Sequence, residues 1–336
     1  MVAEFQPRYS IIVPAYNEGV GIVACVRALV EQASGSAGPG RGQYEIIVVD
    51  DASTDDTGQL AEAAGADVVL SIAHGGPAAA RNAGLQIARG ELVLFTDADC
   101  VPMPGWIAKM AAPFEDPEVV GVKGSYRSRQ RGLIARLVQL EFEIRYERMA
   151  KLPRIDFIDT YAAAYRREVL LREGGFSTDY PVPSVEDVDL SFRLAEKGHR
   201  MLFVPDATVW HTHPASLWAY LRRKMRFGYW RALLYLRYAG KIGGDAHTDP
   251  ALKAQFGVVA LGGLLVVGGL AWWPLWIGAA LCLAAFLVTT LPFVRWAWRR
   301  DRAVAFVWPM VTLLRVLLQG LGLAAGFAVY LPSRQR

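Results

Sequence analysis

Only 3 of the 336 residues are cysteine, and Cys25, Cys100 and Cys282 stand at unrelated spacings with no Cys-x-x-Cys pair. That scarcity excludes a disulfide framework and a structural zinc site, and makes a reducing, cytosolic face the expected environment. An apolar leader is also lacking: Met1 to Ser10 has no hydrophobic core segment, which excludes a signal peptide and predicts that the first domain never crosses a membrane. Nor is there a strong charge of one sign. The formal net charge is +4 and the pI about 8.9, too little to argue for nucleic acid. The Arg and Lys residues instead cluster beside apolar helices, as they do at an anionic membrane surface. Charge is absent altogether from two long stretches, 256–273 and 275–294.

Apolar residue is what the chain has in excess. It is 53% hydrophobic with mean hydropathy +0.22, high for a purely soluble protein. The excess is uneven. Up to about Gly244 charged and apolar residues mix as in a globular domain, whereas beyond Phe256 the composition is that of a membrane segment. The expected organisation is a first domain over 1–214, an amphipathic helix and linker over 215–250, and a membrane domain of two or three spans over 251–336.

Within the first domain apolar runs repeatedly stop at acids. Ser10 to Pro14 is a strand that opens into Ala15-Tyr-Asn-Glu-Gly19, and Tyr44 to Val49 is a strand ending at Asp50 and Asp51. Leu92 to Phe95 is a strand ending at Asp97 and Asp99. In open α/β sheets the ligand crevice lies outside the carboxyl ends of the strands, so these acids are expected to face it. Two hard oxygen donors at Asp97 and Asp99 suit Mg²⁺ or Mn²⁺, which in turn bridges a diphosphate. Asp-x-Asp alone is also an ordinary solvated strand end, and its context decides.

That context is a series of alternating strands and helices. Helices are expected from Ile22 to Val30, from about Ser53 to Ala64 with Ser53, Thr54 and Asp55 as caps, from Pro77 through Arg81 and Asn82, and over Pro104–Phe114. A further strand covers Asp67–Ile72, and the Gly- and Ser-rich stretch 34–42 is a flexible connection. The alternation predicts a parallel sheet with right-handed crossovers. Beyond it the pattern gives a strand at Val119–Tyr126, an amphipathic helix over Gly132–Leu152, a strand over Phe157–Tyr165, and a helix opening with Glu186, Asp187 and Asp189. Two short strands follow, Met201–Val204 and Thr208–Trp210, the second delivering His211 and His213.

From Leu217 to Leu234 aromatic and apolar positions alternate with Arg222, Arg223, Lys224, Arg226 and Arg231, the pattern of a helix in the headgroup layer. The two uncharged stretches read as membrane helices edged by Trp272, Trp273, Trp276 and Trp296. Arg295, Arg299, Arg300 and Arg302 in the loop after them place it on the cytosolic side of an inner or plasma membrane. Residues 303–331, with Pro309 and Arg315 inside, fit either one long kinked span or an interfacial helix leading to a shorter span.

Taken together, Ile12-Val-Pro-Ala-Tyr-Asn-Glu18, Val48-Val-Asp-Asp-Ala-Ser-Thr-Asp55, Ala80-Arg-Asn-Ala-Gly84, Phe95-Thr-Asp-Ala-Asp99 and Glu186-Asp-Val-Asp-Leu190 resemble the family 2 glycosyltransferases, over about the first 215 residues. The resemblance implies an α/β fold: a GT-A, Rossmann-like nucleotide-sugar-binding domain, followed here by interfacial helices and C-terminal transmembrane helices. It implies metal-dependent transfer with inversion from a nucleoside-diphosphate sugar, UDP- or GDP-linked, to an acceptor that the membrane helices make lipid-linked, a polyprenyl phosphate or polyprenyl-diphosphate sugar. Pro14, Tyr16 and Glu18 match the family's opening nucleotide loop, Asp51 the acid that receives a uracil N3–H, and Arg81 an arginine on the diphosphate side. Asp97 would face ribose and metal, Asp99 would bind Mg²⁺ or Mn²⁺, and His211 would complete the metal site, with His213 the competing choice. Asp187 matches the catalytic base, and Glu186 beside it is expected on the substrate.

Two positions depart from the family pattern: Val185 stands where Gly or Thr is common, and Ala52 where Gly follows the double Asp. The Gln-x-x-Arg-Trp motif of the processive synthases is replaced by Arg222-Arg-Lys-Met-Arg-Phe-Gly-Tyr-Trp230. Arg222, Arg223 and Arg226 there are expected to meet a phosphate of acceptor or leaving group. A processive polysaccharide synthase and a nucleotide-sugar-binding membrane protein without turnover are the alternatives.

Overall fold

The computed structural model describes residues 6–34, 39–242 and 248–333. Parts of three expected features lie outside the described residues: the connection at 35–38, the linker at 243–247, and the two ends, 1–5 and 334–336. The chain forms two compact units, one of residues 1–129 with 146–212 and one of residues 130–145 with 213–336.

The first unit is built on an eight-stranded sheet. In chain order its elements are β1 (Tyr9–Ala15), α1 (Gly19–Val30), β2 (Tyr44–Asp50), α2 (Thr57–Ala64), β3 (Val68–Ser71), α3 (Gly76–Ile87), β4 (Leu92–Phe95), β5 (Val101–Pro102), α4 (Trp106–Ala111) and β6 (Val119–Arg127). They are followed by the end of α5 (Leu133–Met149), β7 (Ala163–Arg166), α6 (Arg167–Arg172), α7 (Glu186–Glu196) and β8 (Arg200–Trp210). The strand order is β3-β2-β1-β4-β7-β6-β8-β5. Ile11 to Val13, Ile46 to Val49 and Val93 to Phe95 are fully buried, the signature of strands covered on both faces by crossover helices. On α1, Ile22, Cys25, Val26 and Leu29 fall at helical spacing and bury completely against that layer. At Gly84 on α3 a Cβ would lie 2.5 Å from Ile12 Cγ2, so glycine sets how closely α3 meets the sheet.

The expected parallel sheet holds for β3, β2, β1 and β4 and then ends. β7 runs antiparallel to both β4 and β6, while β6 and β8 are parallel. The first four strands are joined by helices, which forces parallel pairing; β7 arrives after a long excursion and is free to enter the other way. Other boundaries differ locally. Phe157–Tyr165 is not one strand, because a single helical turn, Thr160–Ala162, precedes β7. The two short strands expected before His211 are one, β8. α2 starts at Thr57, later than expected: Ser53 and Thr54 bond the loop after β1 instead of capping it, while Asp55 bonds that loop and also accepts the first N–H of α2, from Thr57, at 3.1 Å.

The second unit comprises the start of α5, α8 (Leu217–Arg237), α9 (Pro250–Gly269), α10 (Leu275–Trp298) and α11 (Arg302–Ser333). Among the described residues, three helical stretches are long and apolar enough to cross a membrane: Ala251–Gly269, Leu275–Trp298 and Arg302–Leu331. Residues 302–333 form one unbroken helix, not a pair. Its start packs with Phe293 and Ala297 of α10 and with Leu137, Leu140 and Tyr220, Phe293 lying 3.7 Å from Trp308 between ring centres. Farther along, α8 lies against α11 with almost no space: a Cβ at Gly322 would stand 2.0 Å from the Met225 carbonyl, and one at Gly326 2.2 Å from that of Tyr229. Beside this seam Glu141 of α5 accepts hydrogen bonds from Tyr220 and Arg315 and pairs with Lys224 at 3.3 Å. Burial pushes the Glu141 carboxyl up, but Lys224 and Arg315 outweigh it and hold it at about 2.

Candidate active site

All the site residues expected in the first 211 positions lie in the first unit. Its starting point is the pair of loops leaving β1 and β2. Asn17 donates its N–H to Ser53 Oγ at 2.9 Å and accepts from the Thr54 N–H at 2.8 Å; Glu18 N–H reaches Thr57 Oγ1 at 2.9 Å, and Gly19 N–H reaches Asp55 at 3.2 Å. Asn17 and Ala52 both take left-handed backbone, φ 54° and 62°. For Asn this is cheap; for Ala it costs about 1 kcal/mol. The common family glycine at position 52 has its physical reason here.

Asp51, just beyond β2, is buried and accepts the N–H groups of Gly75 at 2.7 Å and Gly76 at 2.9 Å. Gly76 has φ +82°, and a Cβ there would strike the Pro181 carbonyl at 2.6 Å, so no other residue fits. Both Asp51 oxygens are thus engaged, and an incoming imide N–H would share one through its second lone pair. His74, which the sequence reading did not single out, joins this group: its Nδ1 is 3.0 Å from Asp51 Oδ2 and its ring 4.6 Å from that of Tyr16. Both rings are about half exposed, Tyr16 at 46% and the His74 side chain at 58%. Pro14 is half-buried, one residue before the end of β1.

Arg81 is found in the interior. It is 4% exposed, and its guanidinium bonds Asp97 at 2.9 Å and Glu186 at 3.0 Å. The arginine expected to face a diphosphate therefore ties the end of β4 to the start of α7. The three first-turn acids of α7 have separate fates. Glu186 takes Arg81 and the Ser184 N–H; Asp189 is buried with Tyr180 Oη at 3.2 Å; Asp187 is half-buried and its carboxylate accepts the adjacent Val188 N–H. Burial, then the Glu186 charge, pushes the Asp187 carboxyl up to about 7, against the opposing pull of Arg81.

Asp99 lies 3.5 Å from His211 Nδ1, and with Cys100 these residues bring one ligand atom each within 4.8 Å, the one such group found among the described residues. Burial, then Asp97 and Glu18, raises Asp99 to about 7. Glu18 is itself raised by burial and by Asp55 and Asp97. Cys100 is pushed well above the ordinary thiol range, chiefly by burial, and donates to Asp99 Oδ1 at 3.6 Å. An imidazole, a carboxylate and crowded further carboxylates form a donor set for a hard or borderline divalent cation such as Mn²⁺, whereas a neutral buried thiol is a poor ligand. His213 belongs to the second unit, where it is bonded to Gln139 at 2.9 Å and stacked on Phe142. Arg222 and Arg226 on α8 are exposed and Arg223 lies over the Phe227 ring at 5.3 Å, also within the second unit.

Comparison with known proteins identifies the family and the fold. Residues 10–173 match the glycosyl transferase family 2 model, and residues 92–318, more than half of the chain, match that of glycosyl transferase family group 2. The chain is 30% identical over 255 residues to the pre-mycofactocin glycosyltransferase of Mycobacterium tuberculosis, covering 73% of this chain and 51% of that protein. It is 29% identical over 239 residues to an N-acetylglucosaminyltransferase of Azorhizobium caulinodans, covering 66% of this chain and 59% of the relative. It thus spans between half and two thirds of the length of these curated relatives. Among solved structures, the mannosyltransferase PcManGT of Pyrobaculum calidifontis aligns over 95% of this chain and 88% of its own, with TM-score 0.59 and 24% identity. The fold is therefore GT-A, and the chain belongs to the family 2 glycosyltransferases.

Proposed function

We propose that the chain is a metal-dependent, inverting glycosyltransferase that moves a sugar from a UDP- or GDP-sugar to a lipid-linked acceptor, a polyprenyl phosphate or polyprenyl-diphosphate sugar. The observation that carries this reading is the Arg81 bridge. One buried guanidinium links Asp97, on the donor side, to Glu186, the neighbour of the raised carboxyl Asp187. Donor-side and base-side groups thereby share one rigid frame, as a single displacement requires.

In this reading the nucleotide lies over Tyr16 and His74, between the loop of Pro14 and Glu18 and the Asp51 carboxylate. Asp187 takes the proton of the acceptor hydroxyl or phosphate as its oxygen forms a bond to the anomeric carbon, while the bond from that carbon to the diphosphate oxygen breaks. One displacement from the opposite face inverts the anomeric centre. Mn²⁺ or Mg²⁺, held by Asp99 and His211 with Asp97 beside them, would neutralise charge on the departing diphosphate. The Pyrobaculum mannosyltransferase was solved with GDP-Man and Mn²⁺, which supports both the donor class and the ion. Asp187 near neutrality suits a base working at physiological pH.

Arg222, Arg223 and Arg226 are assigned to a phosphate of the acceptor, for which the guanidinium fork is better matched than an ammonium. The three apolar helical stretches and the arginines around the turn between α10 and α11, Arg295, Arg299, Arg300 and Arg302, support a multi-pass protein of an inner or plasma membrane. Residues 1–214 would form the cytosolic catalytic domain, 215–250 an interfacial helix and linker, and 251–336 the membrane domain. The test is transfer by the purified full chain, with Mn²⁺, from a panel of labelled UDP- and GDP-sugars in the presence or absence of polyprenyl phosphate and polyprenyl-diphosphate sugar. Label should enter the organic phase only with a lipid acceptor. Release of label as free sugar regardless of lipid would overturn the acceptor assignment, and binding of every donor without turnover would return the non-catalytic alternative.

A further inference from the structure

The sheet contains a device that the motifs do not reveal. Lys123 and Tyr126 are three residues apart on β6, an odd spacing that points side chains to opposite faces of a regular strand. Yet both address Tyr161: the Lys123 ammonium lies 5.5 Å from its ring, and the Tyr126 ring stacks on it at 3.3 Å with 18° between planes. The cause is a register shift against β8 between Lys123 and Ser125, at Gly124. A Cβ at Gly124 would stand 2.3 Å from the Ala207 carbonyl and 2.9 Å from the Ala162 Cβ, so the irregularity needs glycine. A bulge of this kind re-aims the side chains beyond it.

What it aims is Tyr126, at His211. The two rings are 4.5 Å apart, tilted by 40°. Tyr126 is itself fixed from behind. The Tyr146 hydroxyl accepts its N–H at 2.9 Å and shares a hydrogen bond of 2.7 Å with the Tyr161 hydroxyl, and all three tyrosines are at most 8% exposed. The His211 main chain is held to the same strand, its N–H donating to the Arg127 carbonyl at 2.9 Å. His211 therefore stands between a rigid aromatic wall and Asp99, 3.5 Å from its Nδ1.

We infer that Tyr126 is a positioning residue for the metal centre: its ring, placed by the β6 bulge and backed by Tyr146 and Tyr161, restricts the His211 imidazole to the orientation that faces Asp99. This deepens the metal reading given above and rests on it. Groups that orient a metal-binding histidine from behind typically change affinity by about 10- to 100-fold when removed. A stacked ring supplies orientation without a hydrogen bond, so its removal belongs at the lower end of that range.

The experiment is titration of the full-length protein in detergent with Mn²⁺ alone, read by the loss of the free-ion electron paramagnetic resonance signal. Wild type, Asp99→Asn, Tyr126→Phe, Tyr126→Leu and Tyr146→Phe are compared, with thermal unfolding as a check on folding. Tyr126→Leu is expected to weaken Mn²⁺ binding about tenfold, Tyr126→Phe to retain it because the ring remains, and Tyr146→Phe to weaken it by a smaller factor. Wild-type affinity in Tyr126→Leu, with Asp99→Asn impaired, overturns the positioning role and leaves the metal site standing. Equal Mn²⁺ binding by wild type and Asp99→Asn overturns the metal reading itself, and the inference with it. Should Tyr126→Leu fail to fold, Tyr146→Phe decides alone, and unchanged Mn²⁺ affinity in that variant contradicts the wall.

Discussion

Asp187 differs from Glu186 and Asp189 in its surroundings: its neighbours meet Arg81 and Tyr180, whereas its own carboxylate accepts the Val188 N–H and is raised to about 7 by burial and by Glu186. A base acts in its deprotonated form, so kcat/KM should rise with pH and level off above about 7; a rate independent of pH between about 5.5 and 8 would contradict the assignment. Ala52 is the residue whose local cost is most visible. Replacing it with Gly relieves left-handed strain and is expected to stabilise by roughly 0.5–1 kcal/mol, less the entropy that glycine adds to the unfolded chain. An unchanged or lower unfolding midpoint for Ala52→Gly would show that the strain is absent. The sequence makes such positions legible when residue type itself carries the signal, as for Asp99. His74 carries no such signal, because its significance lies in a ring 4.6 Å away on another loop. For the same reason His211 and His213 look equivalent in the sequence, and only tertiary contacts separate them.

At the level of elements, hydrophobic runs and their acidic ends locate β1, β2 and β4 closely, since a buried parallel strand is a local pattern. Direction and register are not local. The antiparallel entry of β7 and the bulge in β6 follow from which strands remain free to pair, and nothing in Ala163–Arg166 or Lys123–Ser125 states them. The same holds for α11, where Pro309 and Arg315 suggest an interruption that the helix does not show. Arg315 is accommodated because Glu141 on α5 receives it, together with Lys224. Removing that carboxylate leaves two cations in an apolar seam, so Glu141→Gln should destabilise the second unit by about 3–5 kcal/mol, measured by thermal or denaturant unfolding in detergent. A loss below about 1 kcal/mol would mean that water already solvates the cluster. Bulk at Gly322 should act similarly, since Gly322→Leu would drive α8 away from α11.

For the whole molecule, the central claim is that the GT-A unit of this membrane-associated chain transfers sugar by a single displacement with Asp187 as base. Orientation is tested first. The Arg300→Cys variant, in the turn between α10 and α11, should react with an impermeant maleimide only after the cytosolic face is opened, and labelling in intact cells would reverse the proposed topology. Metal dependence comes next: EDTA should abolish transfer and Mn²⁺ restore it, and full activity in EDTA would remove Asp99 and His211 from the mechanism. The most direct test is the comparison of wild type with Asp187→Asn in the full chain, measuring turnover and nucleotide-sugar affinity together. The substitution is expected to lower turnover by roughly a hundred- to ten-thousandfold while leaving the donor Kd nearly unchanged. Near-normal turnover in Asp187→Asn would contradict the central claim and reduce the acids of α7 to partners of its helix dipole.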